Sequence, residues 1–383
     1  MTRVQRQLVV LFALGWFAVP GSANAQSAFE LWVLDQGSNA LLIYDGAKLS
    51  AQARAERIDL TPHGGAKPHM VLFSPQHDYA FIANVASGHV YVMRASDRKV
   101  VYHEDLGQQA HAAVPSPDGK RALVANQNDK KVTEILTDYS KGAFKTGRVL
   151  DLDQAPALAD AAEFPDRAPI CLMFTADGSK AYVTLRGGGI AVVAFPAEGA
   201  APLTVAKAFG KVRDGIEAAG CGTLRSADGK RMYANSGSST GGKFYVFDTT
   251  KDALVGSTNL TETGRDAHGA VLAGQHVWVA NRGDDNVAVL SGEGKVVGKI
   301  PDVGDAPDLL DVSPSGDRVF GTLRGPKPAT GTHDIAGKTP GVTVLAVQDG
   351  GKSAKREFII PIGDQSAESP SDPHGIAVRK KVR

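Results

Sequence analysis

The chain has 383 residues and nearly balanced charge, with 42 lysines and arginines against 41 aspartates and glutamates. This balance argues against a nucleic-acid-binding protein and against electrostatic attachment to anionic lipid, since both usually need a basic excess. Glycine is abundant, at 43 residues, and aromatic residues make up only 7%. We expect this composition from many short strands joined by turns, and a single all-β domain can reach this length.

The first 25 residues have the parts of a secretory signal peptide. MTRVQRQ carries two arginines and no acid, and the apolar run LVVLFALGWFAV is too short to span a bilayer. The segment ends in an Ala-x-Ala pattern formed by Ala23 and Ala25. The sequence therefore predicts cleavage after Ala25 and export of residues 26–383 as one domain, into the periplasm if the cell is Gram-negative. No later segment is long and apolar enough to predict membrane insertion.

A turn of the type Ser-Pro-Asp-Gly recurs along the rest of the chain. It reads SPQHDYAFIAN from Ser74, SPDGKRALVAN from Ser116, TADGSKAYVTL from Thr175, SADGKRMYANS from Ser226 and SPSGDRVFGTL from Ser313, with a shorter AGQHVWVAN from Ala273. Asp-Gly and Ser-Gly pairs form turns, and β-rich residues flank each of them. A third and a fourth strand follow, such as NVAVL and KVVGKI. The pattern predicts six complete four-stranded units.

A seventh unit is divided between the two ends of the chain. DPHGIAV near the C-terminus supplies its first strand, and ELWVLDQ, NALLIYD and ERIDL near the N-terminus supply the other three. Four-stranded units at this period are typical of a β-propeller, and a divided unit closes such a ring. The sequence therefore predicts an all-β fold, a seven-bladed β-propeller with antiparallel four-stranded blades.

The repeated unit resembles a known family. The segment VANRGDDNVAVLSGEGKVVGKIPDVGDAPDLLDVSPSGDRVF is similar to the YVTN-type propeller repeat of bacterial exported proteins, and the resemblance covers nearly the whole chain after the leader. It implies the architecture and leaves the function open, because that family and its neighbours include ligand binders, lactonase-like enzymes, a nucleic-acid binder and metal proteins.

One position of the repeat carries a metal-ligand type in six of the seven units. Counting five residues back from the first residue of each turn, and taking the matching residue of the divided unit, the occupants are His69, His111, Ile170, Cys221, His268, Asp308 and His374. The first strand of a propeller blade lines the central channel, so these residues are predicted to form one channel ring. Two arcs of neighbours stand out, the one running from His374 through His69 to His111 and the one running from Cys221 through His268 to Asp308.

The channel ring predicts a site for one transition-metal ion. Zn²⁺ accepts imidazole, thiolate and carboxylate together and is our first choice, while copper also accepts imidazole and thiolate. Because imidazole must be neutral to bind a metal, we expect the affinity to fall as the pH drops through about 6.5, the ordinary histidine pKa. The alternative is that histidines in a Pro-His-Gly strand start only anchor neighbouring loops or bind water in the channel.

Two interpretations fit the cysteines. Cys221 is a channel-ring residue, and Cys171 follows the ring residue Ile170. Exported proteins commonly pair two cysteines in a disulfide, and these two are predicted to lie on neighbouring inner strands. If the disulfide forms, Cys221 is no ligand, and the metal site consists of the histidines and Asp308.

Three arginines follow the second strands of their units, where they are predicted to surround the mouth of the channel above the ring. They are Arg186, Arg282 and Arg324. Guanidinium groups match carboxylate or phosphate, so the arginines could hold an anionic ligand. The alternative is that they are solvated or pair with nearby acids such as Asp284 and Asp285.

The sequence leaves three functions open. The first is a non-catalytic exported propeller that binds a metal, for metal handling or for binding another periplasmic protein. The second is a metal-assisted hydrolase or lyase, lactonase-like, in which the ion polarises a carbonyl or activates water and the arginines orient an anionic substrate. The third is an interaction scaffold with idle histidines. The sequence contains no Cys-x-x-Cys-His, Gly-x-Ser-x-Gly or P-loop motif that would indicate another enzyme class.

Overall fold

The computed structural model describes residues 28–196, 201–217, 222–330 and 335–381. The predicted signal peptide and Cys221 lie outside these ranges. Four single-turn 3-10 helices occur in the described part, at Gly46–Lys48, Thr61–His63, Pro156–Leu158 and Asp349–Gly351. None of the helices described has the length and apolar character needed to cross a membrane.

Strands account for the remaining regular structure of the described residues. The first seven are β1 (Phe29–Asp35), β2 (Ala40–Asp45), β3 (Glu56–Asp59), β4 (Pro68–Phe73), β5 (Tyr79–Asn84), β6 (His89–Arg94) and β7 (Val100–Asp105). The next eight are β8 (Ala110–Pro115), β9 (Arg121–Asn126), β10 (Lys131–Asp138), β11 (Ala143–Asp151), β12 (Pro169–Phe174), β13 (Lys180–Leu185), β14 (Ile190–Ala194) and β15 (Thr204–Phe209). They are followed by β16 (Leu224–Arg225), β17 (Arg231–Ser238), β18 (Gly241–Asp248), β19 (Ala253–Asn259), β20 (Ala267–Ala273), β21 (His276–Asn281), β22 (Asn286–Leu290) and β23 (Val296–Ile300). The last five are β24 (Pro307–Val312), β25 (Arg318–Leu323), β26 (Gly341–Gln348), β27 (Ser353–Pro361) and β28 (Pro373–Lys380).

These strands form seven antiparallel four-stranded sheets, the blades of a β-propeller. Blades 2 to 7 each consist of four consecutive strands, from β4–β7 to β24–β27. Blade 1 has the order β28-β1-β2-β3, so the C-terminal strand is innermost and pairs with the N-terminal strand. The predicted seven-bladed propeller, with its divided closing blade, is confirmed.

Apolar side chains fill the spaces between adjacent blades. Between blades 1 and 2, for example, Trp32 and Leu34 pack with Ile82 and Tyr91, and all four side chains are fully buried. Burial of each such side chain contributes roughly 1.5–3 kcal/mol. A middle strand such as β5 is buried along its whole length, because neighbouring blades cover both of its faces. In an outer strand such as β19, exposed residues alternate with partly buried ones.

The innermost strand is irregular at the same place in six blades. Its pairing with the second strand shifts register at or just after the strand's second residue. That second residue is the channel-ring position in each case: His69, His111, Ile170, His268, Asp308 and His374. A β-bulge leaves a residue unpaired in the ladder and re-aims its side chain. The bulge thus explains how a strand with two covered faces can present a polar side chain to the channel.

A buried ion-pair network joins the closing strand to its neighbours. Glu30 of β1 is 7% exposed and accepts hydrogen bonds from Arg98 of the β6–β7 turn at 2.8 Å, from Arg379 of β28 at 3.0 Å and from Trp32 Nε1 at 3.0 Å. Burial alone would raise the pKa of Glu30, but these three donors outweigh it and hold the pKa at about 2. Glu30 therefore ties blade 2 and the C-terminal strand to the N-terminal strand.

Candidate metal centre in the channel

The channel-ring residues of five blades contact one another in sequence around the channel. His268 Nε2 lies 3.3 Å from Asp308 Oδ1, and His374 Nε2 lies 3.5 Å from Asp308 Oδ2. The rings of His374 and His69 stack with centroids 3.8 Å apart, and His69 Nε2 lies 3.1 Å from His111 Nε2. The two predicted arcs are thus joined where Asp308 meets His374. Ile170, the next ring residue, is buried beside this group.

Three of these residues form a group with metal-binding geometry, called here the metal triad: His268, Asp308 and His374. One ligand atom from each lies within 4.8 Å of the other two. A tetrahedral zinc site with bonds of about 2.0–2.2 Å places its ligand atoms about 3.3–3.6 Å apart. The two nitrogen–oxygen distances above are close to this spacing, and each reaches a different carboxylate oxygen of Asp308. Asp308 and His374 are almost completely buried, and the His268 side chain is 13% exposed.

Both imidazoles of the metal triad direct Nε2 towards the shared carboxylate. His374 Nδ1 lies 3.0 Å from the carbonyl oxygen of His69, so Nδ1 carries the proton and Nε2 keeps its lone pair. His268 Nε2 is buried, and its contact with Asp308 Oδ1 at 3.3 Å does not have hydrogen-bond geometry. A buried nitrogen of this kind is costly unless a partner satisfies it, and a metal ion is such a partner.

Two buried arginines contact the carboxylate of Asp308, one at each oxygen. Arg282 Nη1 approaches Oδ1 at 3.3 Å, and Arg324 Nη1 approaches Oδ2 at 3.2 Å. Each guanidinium also makes a two-pronged contact with a second acid, Arg282 with Asp266 and Arg324 with Asp372. With all three acids ionised, the cluster of three carboxylates and two guanidiniums carries one net negative charge.

The third rim arginine lies apart from the triad. Arg186 pairs with Asp166 at 2.6 Å and is substantially exposed. The two acids named as partners from sequence are engaged elsewhere, since Asp284 pairs with Arg265 and Asp285 accepts a hydrogen bond from the backbone of Ala306. The arginines do pair with acids, but with different ones.

Sequence reasoning missed Asp266 and Asp372, although a signal was present. Each stands two residues before a channel-ring histidine, in DAH and DPH. The matching position before Asp308 is Ala306, which explains why Arg324 reaches across to Asp372 of the next blade.

The environment keeps the channel histidines neutral. Burial lowers the pKa of His268 and of His374 well below the ordinary value, and the guanidiniums of Arg282 and Arg324 lower it further. Burial also lowers the pKa of His111, to about 4. Burial raises the pKa of Asp308, and the two guanidiniums oppose that effect. The loss of metal affinity on acidification is therefore expected at a lower pH than the ordinary histidine value indicates.

The sulfur of Cys171 lies close to the channel ring. Its Sγ is 3.9 Å from Met70 Sδ and 3.9 Å from His111 Nδ1. Because Cys221 lies outside the described residues, both the disulfide and the ligand role of Cys221 stay predictions.

A cavity opens above the channel ring and is called here the mouth cavity. Its volume is about 470 Å³. The rings of His69, His111, His268 and His374 line it, together with Lys67 and the three rim arginines. Residues that follow the second strands of their blades, such as Asn128 and Arg282, are among those that line it.

Comparisons with known proteins identify the fold and no family. No family model matches the chain, and no curated protein matches its sequence. The periplasmic gluconolactonase of Pseudomonas aeruginosa is 17% identical, with a TM-score of 0.67 over 92% of this chain and 99% of that one. A candidate 6-phosphogluconolactonase from Bacteroides fragilis is 14% identical, with a TM-score of 0.68 over 94% of this chain and 99% of that one. A dihydro-haem d1 dehydrogenase is also 14% identical, with a TM-score of 0.53 over 91% of this chain and 74% of that one. At these identities the proteins share the propeller fold.

Proposed function

We propose that this protein binds a transition-metal ion, zinc in the first place, in its central channel, and that it serves metal handling or partner binding rather than catalysis. The observation that carries the proposal is the metal triad, in which two imidazoles and a carboxylate from three different blades converge within 4.8 Å. Three strands from three different blades each contribute a ligand type at the same bulge position.

The donor set supports zinc over hard cations. Two imidazoles and one carboxylate are zinc ligands, and three protein ligands leave a position for a fourth. Magnesium and calcium take oxygen ligands instead. Copper remains in the proposal because imidazole suits it equally. His69, His111 and Cys221 are the further ring residues from which a fourth ligand would come.

We also propose that the protein is exported and works in the periplasm as one domain of residues 26–383. The predicted leader supports this, as does the fold shared with a periplasmic gluconolactonase. Membership of the YVTN-type repeat family is part of the same proposal and is supported by the repeat pattern.

Metal analysis tests the proposal directly. The protein is purified without chelator, its metal content is measured, and the metal-free form is titrated with zinc and then with copper. We expect about one ion per chain, lost in His268→Ala, His374→Ala and Asp308→Asn. His276→Ala is the matched control, because His276 is a partly exposed histidine at the start of β21, outside the channel ring. Failure of both metals to bind, or equal binding by the control and the triad variants, would leave the scaffold interpretation in the lead.

One observation favours a second candidate, a metal-assisted lactonase-like hydrolase. The mouth cavity places about 470 Å³ of space directly above the metal triad, and a bound ion there would polarise a carbonyl or activate water. Hydrolysis of glucono-lactones by the zinc-loaded protein tests this candidate. Activity that disappears in Asp308→Asn would support it, and equal background hydrolysis in both proteins would exclude it.

A further inference from the structure

A threonine of the second strand lies opposite the bulge that carries Asp308. Asp308 and Leu309 of β24 together face Thr322 of β25. A bulge of this kind leaves an amide of the bulged strand without a partner in the ladder. The Thr322 hydroxyl supplies that partner, since it accepts from the amide of Leu309 at 3.1 Å. The side chain is fully buried, so water does not compete for this bond.

The same hydroxyl also bonds the next blade. Thr322 Oγ1 donates to the carbonyl oxygen of His374 at 2.7 Å. The two inner strands concerned, β24 and β28, belong to different sheets, so strand pairing does not fix the distance between them. Another bond between them lies further along, where Asp311 accepts from the amide of Val378 at 2.6 Å. At the level of the metal triad, one hydroxyl therefore holds both the backbone beside Asp308 and the backbone of His374.

Blade 5 repeats this arrangement with an asparagine. Asn235 and Thr322 are equivalent, since each stands nine residues after the first residue of its turn. Asn235 Oδ1 accepts from the amide of Gly222 at 3.1 Å, and Nδ2 donates to the carbonyl oxygen of His268 at 2.7 Å. The carbonyl of each triad histidine is thus bonded from the second strand of the preceding blade. The residues opposite the bulge in blades 1, 2, 3 and 6 have apolar side chains and cannot form this bond: Leu34, Ala83, Ala125 and Ala280.

Blade 4 contains the same hydroxyl without a metal ligand beside it. Thr184, again nine residues after the start of its turn, accepts from the amide of Cys171 at 3.1 Å and donates to the carbonyl oxygen of Cys171 at 3.1 Å. The channel-ring residue of this blade is Ile170, which offers no ligand atom. Thr184 is buried like Thr322, so the two threonines form a matched pair.

We propose that Thr322 is a positioning residue of the metal triad and that its hydroxyl sets the distance between the Asp308 carboxylate and the His374 imidazole. The inference rests on the proposed metal site. Asp308 Oδ2 and His374 Nε2 are 3.5 Å apart, and both side chains extend from backbone that Thr322 holds. Without the hydroxyl the two inner strands are free to separate at this level, and the ligand atoms separate with them. Groups that hold metal ligands in place from outside typically change metal affinity about 10- to 100-fold.

Substitutions of Thr322 should weaken zinc binding without unfolding the protein. Thr322→Val keeps the shape of the side chain and removes the hydroxyl, and we expect the Kd for zinc to rise about tenfold. Thr322→Ala should do the same, and the fold accepts alanine there because three other blades carry it opposite the bulge. Thr322→Ser keeps the hydroxyl and should bind zinc like the parent protein.

Thr184→Val is the matched control, measured by zinc titration and by thermal melting of the metal-free proteins. It removes the equivalent hydroxyl of blade 4 and leaves a buried amide without its partner, so it should lower the Tm about as much as Thr322→Val. Its zinc affinity should stay that of the parent, because Ile170 is not a ligand. A purely structural role for Thr322 would change the Tm and leave the zinc affinity unaltered.

Three results would overturn the proposal: zinc binding by Thr322→Val and Thr322→Ala that equals the parent, an equal loss of affinity in Thr184→Val, or failure of Thr322→Ser to keep the parent affinity. Asp308→Asn is titrated alongside. If it loses zinc while Thr322→Val and Thr322→Ala bind normally, the role of Thr322 fails and the metal site stands. If the parent protein itself takes up no zinc, the metal site and the role of Thr322 fail together.

Discussion

Replacing Glu30 by glutamine should remove a large part of the pH dependence of folding stability. Glu30 accepts from Arg98, Arg379 and Trp32, and its pKa is about 2 in the folded chain against an ordinary value of 4.5. A carboxyl whose pKa is lowered by folding stabilises the fold above its ordinary pKa, and that contribution is lost as the pH falls towards 2. The shift corresponds to about 3 kcal/mol.

Urea unfolding at a series of pH values between about 2 and 7 measures this contribution. The parent protein should lose about 3 kcal/mol more than Glu30→Gln as the pH falls through this range, because other carboxylates titrate in both proteins and cancel in the difference. Glu56→Gln is the matched control. Glu56 also pairs with Arg98, at 3.4 Å, but its side chain is 51% exposed, so we expect a change of at most about 1 kcal/mol. A constant stability gap between the parent and Glu30→Gln from neutral to acid pH would refute the reasoning.

Three further outcomes are expected. Ending the chain after Ser371 removes the innermost strand of blade 1 and leaves β1 as an open edge, so calorimetry should show most of the cooperative transition lost; an unchanged melting profile would contradict the closure. Zinc affinity, followed by calorimetric titration, should persist below the ordinary histidine pKa of 6.5, because burial lowers the pKa of His268 and of His374 well below it; a steep loss centred at that value would be the contrary result. Asp308→Asn should destabilise the metal-free protein by about 1–3 kcal/mol, since its two arginines lose a charged partner but keep their own bidentate acids; thermal melts check this.

The fold could be predicted from the sequence because one four-stranded unit recurs along the chain. Turn spacing identified the blades, and counting from the turn located the ring position, which the structure places at a bulge in six blades. The pairing of Arg324 could not be predicted in the same way, because its partner Asp372 lies in the next blade. The equivalent position in its own blade is Ala306, which offers no carboxylate. Gln36 lies in a loop after β1, outside the repeated pattern, and nothing in the sequence marks its contact with His69.

The hydrogen bonds that decide the state of each histidine were also beyond the sequence. His69, His111, His268 and His374 are equivalent by position, yet two of them bond to each other and two face Asp308. That difference depends on distances of a few tenths of an ångström and on neighbours from other blades, which no count along the chain can supply.

The bulge near the start of six of the innermost strands keeps the channel-ring side chain apart from the apolar packing that holds the blades together. Ile170 occupies the position in blade 4 with the same break in register as its histidine counterparts, so the bulge forms around an apolar residue as well as around an imidazole. Function on such a framework can therefore change one residue at a time, while packing between the blades stays constant. A family of chains built this way would keep its shape long after its sequences, and its activities, had diverged beyond recognition.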